Sequence, residues 1–409
     1  MDTRADILHS TDWTRAFHAY GPATDAPEFL AGLLSEQEEV RERALGYLNS
    51  AILHQGTVYP ATPPVALFVA GVLGEPAVDL PVGDPFREAA GSAVEPLRLG
   101  LLDFLADVAR AVAERAAGRS LPELEGLADP GERRGELDAL LTGMADGDAE
   151  GEEEIWEDPL LDTVFHAALR DLWRAAPTLL GAVRPLLTHA DGRVRQRAVT
   201  TTGALCRLVE EPEVDLSGAA DLAENRDEGA AIVLALVEGG GDTTSFLAHP
   251  DQAIRACAAL SEGLAGDPVA VGELRAALLD PAAADAWFRD RPGYFPGHVR
   301  FSLVDALVSR SGSEDAADLL PVFRELAATA GPFSCEADLR GLLRLALGGA
   351  ESAPAPEVAA PTELQRAYLR AVVDNDRLWD TRVANVALLL RSLGLPTARE
   401  ALAALAATP

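Results

Sequence analysis

Leu187-Thr188-His189-Ala190-Asp191-Gly192-Arg193-Val194-Arg195-Gln196-Arg197-Ala198-Val199 decides how the rest of the chain is read. Its Leu precedes a β-branched residue by seven positions, an Arg follows at once, and an Ala comes three residues after the Arg. The order returns in Leu33-Leu34-Ser35-Glu36-Gln37-Glu38-Glu39-Val40-Arg41-Glu42-Arg43-Ala44-Leu45. It returns again in Leu247-Ala248-His249-Pro250-Asp251-Gln252-Ala253-Ile254-Arg255-Ala256-Cys257-Ala258-Ala259. A weaker copy, His298-Val299-Arg300-Phe301-Ser302-Leu303, lacks the upstream Leu and puts Leu303 in the Ala slot.

The pattern predicts a helix ending near the Leu, a short polar turn, and a second helix starting close to the β-branched residue and the Arg. Val40 and Ala44, Val194 and Ala198, and Ile254 and Ala258 then fall on its buried stripe, and the small Ala lets a neighbouring helix approach. Arg41, Arg195 and Arg255 are placed to reach back to carboxylates or carbonyls at the turn. His189 and His249 hold equivalent turn positions.

Elsewhere helical signals dominate, and alternating β-branched or aromatic runs are nearly missing. The chain is 48% hydrophobic but only 5% aromatic, so Ala, Leu and Val carry the packing, and Ala and Leu favour helix. Pro and Gly clusters cut it into segments of helical length. The motif arginines are 154, 60 and 45 residues apart, and 45 matches one helix pair of HEAT type, about 40 to 47 residues. On Val40-Arg41-Ala44, Val194-Arg195-Ala198, Ile254-Arg255-Ala258 and the poorer Val299-Arg300, the chain resembles the HEAT-repeat superfamily, including the HEAT-like repeats of phycobilisome lyases.

The resemblance implies an all-α fold, an irregular α-solenoid of stacked antiparallel helix pairs running continuously over residues 1–409. It implies a scaffold that binds partners along a concave face, although some lyases and DNA glycosylases use the same frame. Three segments stand out from the array: an acidic insertion at 144–159, an inserted loop at 281–297, and a linker-like stretch at 348–361.

Composition excludes several chemistries. All 34 basic residues are Arg, so no Schiff-base, P-loop or Ser-x-x-Lys lysine exists. A net charge of −31 opposes general nucleic-acid binding, which depends on neutralising phosphates. The longest apolar runs, Val65 to Leu73 and Ala230 to Val237, fall far short of a membrane span of roughly 20 residues. The opening residues carry neither the basic nor the apolar part of a secretory signal. Cys206, Cys257 and Cys335 are too few and too scattered for a disulfide framework, so reduced thiols in a cytoplasmic protein are expected.

No Gly-x-Ser-x-Gly, Gly-x-Gly-x-x-Gly or His-Glu-x-x-His sequence occurs, and neither cofactor nor metal is expected. The stretch from Asp146 to Glu157 resembles an EF-hand calcium loop through Asp146, Asp148, Glu150 and Glu157, with Gly151 at the sharp turn. Glu153 in the aliphatic slot and Pro159 in the following helix depart from that pattern. A solvated acidic insertion is the simpler reading. Three groups are candidates for binding. His54 and Tyr59 share a loop between two helices. His166, Arg170 and Trp173 fall along one side of a helix. Trp287, Arg289 and Tyr294 lie in a segment rich in aromatics and Arg, the composition that interfaces prefer.

The expectation is therefore a scaffold, adaptor, regulator or immunity-type protein that recognises a basic protein or peptide. A cofactor-free lyase or tailoring enzyme with a pocket in the array is the alternative. A HEAT-like DNA glycosylase would need a basic track that the charge disfavours.

Overall fold

A computed structural model describes residues 4–83, 95–116, 118–146, 158–209, 216–349, 360–380 and 382–407. Over these residues the chain is all-α, from the helix Arg4–Ser10 to the helix Arg399–Ala407. The described strands are two antiparallel pairs of two residues each, Phe17–His18 with Gly21–Pro22 and Pro81–Val82 with Glu95–Pro96. The chain divides into two compact units, Met1–Glu224 and Asn225–Pro409.

Local chemistry sets many of the helix starts. The side chains of Asp191, Asp251 and Asp267 accept hydrogen bonds from the first backbone N–H groups of Gly192–Cys206, Gln252–Ala259 and Pro268–Leu278. Thr362 and Gln365 cap each other's backbone at the start of Glu363–Asp374. Proline occupies the first turn of Ala26–Gly32, Thr62–Val72, Pro268–Leu278 and Pro281–Asp285, where its missing N–H costs nothing.

In the first unit, Gly192–Cys206 lies along Leu97–Ala116, and Leu161–Val183 packs on Thr62–Val72 and Leu121–Leu127. Gly100 lets Leu97–Ala116 come close to Glu38–Tyr47, because a Cβ there would sit 2.8 Å from Leu45 Cδ2. In the second unit, Pro268–Leu278, Ala316–Thr329, Glu363–Asp374 and Arg399–Ala407 each touch the next. Val299–Ser309, Cys335–Ala346 and Asn385–Ser392 do the same. One core runs between these two sets, through Leu274, Leu303, Phe323, Leu339, Tyr368 and Leu389. Burying such side chains is worth about 1.5–3 kcal/mol each.

The motif arginines are tied down in one common way. Arg41 donates to Ser35 O at 2.9 Å, Arg195 to His189 O at 2.9 Å, and Arg255 to His249 O at 2.8 Å, each six residues upstream. A second acceptor comes from further along the chain: Pro81 O for Arg41, Leu222 O at 3.1 Å for Arg195, and Glu273 Oε2 at 2.9 Å for Arg255. Each guanidinium thus holds the turn before its own helix and the segment that packs behind it. His189 and His249 share a further detail, their Nδ1 accepting the N–H of Asp191 and Asp251 at 3.1 Å.

Arg300 uses carboxylates instead. It pairs with Asp285 and, at 2.7 Å, with the fully buried Asp338. Arg98, at the start of Leu97–Ala116, does the same job with Leu73 O and a two-pronged pair to Asp79 at 2.9 Å. The motif does not reveal it, since Leu101 stands where the Ala would be and Ala90 where the upstream Leu would be.

Two outcomes follow for stability. Arg300→Leu leaves Asp338 buried without its cation and should lower urea-unfolding stability by about 3–5 kcal/mol. The double change Arg300→Leu with Asp338→Leu should recover much of that loss. Asp191→Ala removes a helix cap and should cost about 1 kcal/mol at neutral pH. The Arg193 side chain holds the Asp191 carboxyl below its ordinary range in the folded chain. Its contribution is therefore complete above about pH 4 and lost as pH falls through the lower folded value, so the two proteins should converge in acid.

Candidate functional site

The segment between Glu38–Tyr47 and Thr62–Val72 is the most unusual backbone of the first unit. The helix loosens into a π-type turn over Leu48–Ile52, a deviation that recurs at functional sites. His54–Gly56 follows, with Gln55 at φ +50° and Gly56 at φ +69°. Gln55 is the one non-glycine residue in the left-handed region among the described residues. That conformation costs an L-residue roughly 1–2 kcal/mol.

The surroundings hold this loop in place. Thr62 Oγ1 accepts from Tyr59 N at 2.9 Å and donates to Ile52 O at 2.8 Å, fully buried. Arg115 donates to Gly56 O at 2.8 Å and to Thr57 Oγ1 at 3.0 Å. The Phe17–Pro22 turn is pinned on both sides, through Ala19 N to Ala51 O and Ala61 N to Phe17 O, each 3.1 Å.

Aromatic rings collect around this frame. Phe29 stacks on Tyr47 at 4.2 Å, His18 meets Tyr47 at 5.6 Å, and Tyr20 lies 5.7 Å from His54 and 6.0 Å from His18. On the other side Phe165 meets Phe17 at 5.8 Å and Tyr59 at 6.0 Å. Asp25 joins the group: its Oδ1 lies 3.1 Å from His18 Nε2 and accepts the Tyr47 hydroxyl at 2.9 Å. His18 Nδ1 accepts the Tyr20 N–H at 3.1 Å, so the neutral ring carries its proton on Nε2 and donates to Asp25. Burial and the Asp25 carboxylate push the Tyr47 phenol well above its ordinary range. His18 and Tyr47 are buried, whereas Asp25 is exposed and Tyr20 is 69% exposed.

Of the residues singled out in sequence, His54 and Tyr59 fall in this group. His54 donates from Nδ1 to Ser50 O at 3.0 Å. His166 is next to Phe165 in the chain, but its Nδ1 bonds its own helix at Asp162 O, 2.6 Å. Arg170 pairs with Asp171 at 2.8 Å, and Trp173 is half-buried further along that helix. His18, Tyr20, Asp25, Phe29 and Tyr47 were missed. The available signal was the density of rings at Trp13, Phe17, His18, Tyr20 and Phe29 in a chain with few aromatics.

In the second unit the 281–297 segment opens with the short helix Pro281–Asp285 and then closes on itself. Phe288 stacks with Phe295 at 6.1 Å, with Trp287 and Tyr294 against their edges. Arg226 donates to Trp287 O at 3.0 Å, and Asp290 N to Asp227 at 3.0 Å. Arg289 is exposed. A separate cavity of about 1050 Å3 lies between Val299–Ser309 and Cys335–Ala346, edged by Asp305, Glu314, Glu336, Arg340 and Arg344. Glu336 and Arg340 pair within it.

The three cysteines are buried and form no disulfide, and burial pushes the Cys335 thiol up to about 11. Among the described residues no group of three His, Cys, Asp or Glu converges as a metal site. Of the calcium-loop candidates, Asp146 ends the helix Arg134–Asp146, while Asp148, Glu150 and Glu157 lie outside the described residues. No helix among the described residues is long and apolar enough to cross a membrane. No family model, curated protein or solved structure matches the chain.

The loop backbone gives its own test. Gln55→Gly should raise the melting temperature, corresponding to up to about 1 kcal/mol, and Gln55→Val should lower it, because a β-branched residue fits φ +50° worst.

Proposed function

We propose that this chain is a HEAT-like helical-repeat protein, an α-solenoid of stacked helix pairs, that binds a basic protein or peptide. The repeat reading is supported by the shared six-residue reach of Arg41, Arg195 and Arg255, and by the two runs of successive helices in 225–409. The observation that carries the binding reading is the edge of the aromatic group in the first unit. There an exposed Tyr20 ring stands near an exposed Asp25 carboxylate, on a base fixed by buried His18 and Tyr47.

A cation seated over a tyrosine face gains about 0.5–1 kcal/mol when exposed and about 2 when desolvated. A nearby carboxylate adds to that attraction, and a frame already rigid leaves little ordering cost at binding. The net charge of −31 steers basic partners toward the chain and anionic ones away. Buried thiols outside any disulfide suit a cytoplasmic setting.

An enzymatic role would want a proton acceptor or donor poised at the site. His18 is buried with both ring nitrogens engaged. The described carboxylates with displaced titration, Asp12, Glu123, Asp191, Asp242, Asp251, Glu363 and Asp380, are all held low, as anions. Both facts favour the binding reading.

Fluorescence anisotropy with a labelled peptide rich in Lys and Arg tests it. Binding should weaken steeply as salt rises. Tyr20→Ala should cost about tenfold in affinity, while Tyr20→Phe, which keeps the ring face, should cost little. A chain that ignores the peptide, or binds it equally well without the Tyr20 ring, would refute the proposal.

A further inference from the structure

The second unit holds a cavity edged by arginines. A cavity of about 580 Å3 opens between the helices Ala316–Thr329 and Glu363–Asp374, within the size range of small-molecule sites, about 300–1,000 Å3. Its apolar lining is small, from Ala328, Ala367 and Ala371. Arg324, Arg370 and Arg377 reach it, with Asp374 and Asp376 at the same end as Arg377.

Charge pairing separates these groups. Arg370 is taken by Glu363 at 2.6 Å and Asp376 by Arg399 at 2.5 Å. The Arg324 and Arg377 side chains have no ion-pair or hydrogen-bond partner among the described residues, and both line this one cavity. In a chain with 65 carboxylates and 34 arginines, two unpartnered guanidiniums at one cavity run against the overall balance. Both are exposed, and their planar forks suit phosphate oxygens.

The segments that form its walls are tied to one another. Phe323 meets Tyr368 at 4.5 Å, and the Tyr368 hydroxyl donates to Ala316 O at 2.7 Å. At the other end Asn375 Nδ2 donates to Ala327 O at 2.7 Å and Ala330 O at 2.9 Å, which ties the loop carrying Arg377 to the facing helix. The cavity therefore exists before any ligand arrives.

We infer that this cavity binds a small phosphate monoester, its phosphate held between Arg324 and Arg377 and its organic body over Ala328, Ala367 and Ala371. The two guanidiniums outnumber the one unpartnered carboxylate of the cavity, Asp374. Asp374, an acceptor without a partner among the described residues, takes a hydroxyl of the body. The site is independent of the Tyr20 patch and selects the opposite charge.

Isothermal titration of the full chain with glycerol phosphate, inorganic phosphate and glycerol tests it. Both phosphates should bind, glycerol phosphate more tightly, and glycerol should give no heat. Arg324→Gln with Arg377→Gln should weaken glycerol phosphate at least about tenfold. Arg207→Gln with Arg391→Gln, exposed arginines that do not line the cavity, should leave it unchanged. Ala367→Leu should crowd the apolar lining and erase the advantage of glycerol phosphate over inorganic phosphate. Circular dichroism of each variant should match the parent. Absence of heat with both phosphates, or equal weakening in the two arginine pairs, would overturn the inference.

Discussion

A guanidinium cannot shed its charge to escape a protein interior, so every buried arginine must be surrounded by oxygen. That constraint organises this chain. Arg41, Arg98, Arg195 and Arg300 are nearly inaccessible, and each is placed at or near the start of a helix with acceptors drawn from two segments. Helix and turn ends leave carbonyls without partners, and a guanidinium with five donors reaches several of them at once. The result is a joint that fixes how one helix leaves the turn and what packs behind it. Satisfied joints of this kind specify one packing more than they add net stability.

The absence of lysine gives the same idea a wider reach. Lysine spends its charge on a single flexible point, whereas arginine spreads it over a planar fork that can hold two or three acceptors. A chain that uses only arginine can assign much of its positive charge to structure. Forty of the 65 carboxylates but only 18 of the 34 arginines fall in the first unit. The acidic surplus is therefore concentrated in the unit that also carries the exposed Tyr20. In the second unit the balance is closer, and a local excess of guanidinium at one cavity can emerge.

The first unit also shows how strain and order accompany one another. A π-type turn and a left-handed glutamine are unfavourable alone, and they persist because Thr62, Arg115 and the Phe17–Pro22 turn over-determine the path of the loop. The same contacts bring His18 under Tyr47 and leave Tyr20 outside. A buried, fully hydrogen-bonded layer beneath an exposed ring is an arrangement suited to recognition, because the ring is presented without freedom to collapse.

Helical class and the special status of Arg41, Arg195 and Arg255 were legible in the chain itself. They depend on local spacing: period 3.6 places Val194 and Ala198 on one stripe, and a turn of fixed length puts Arg195 within reach of His189 O. Asp191 and Asp251 as caps are equally local. His18, Asp25 and Tyr47 were not legible, nor was Arg98, because nothing in their spacing says that residues 7 and 22 apart share one carboxylate oxygen. Likewise, Arg324 and Arg377 are 53 positions apart, and tertiary contacts such as Phe323 on Tyr368 and Asn375 on Ala327 bring their segments to one cavity. Sequence alone determined what repeats every few residues, since hydrogen bonds and helical periodicity act over that range. Tertiary structure decided which distant charges and rings meet, since that depends on how whole helices stack and on the oxygens left over for each guanidinium to find.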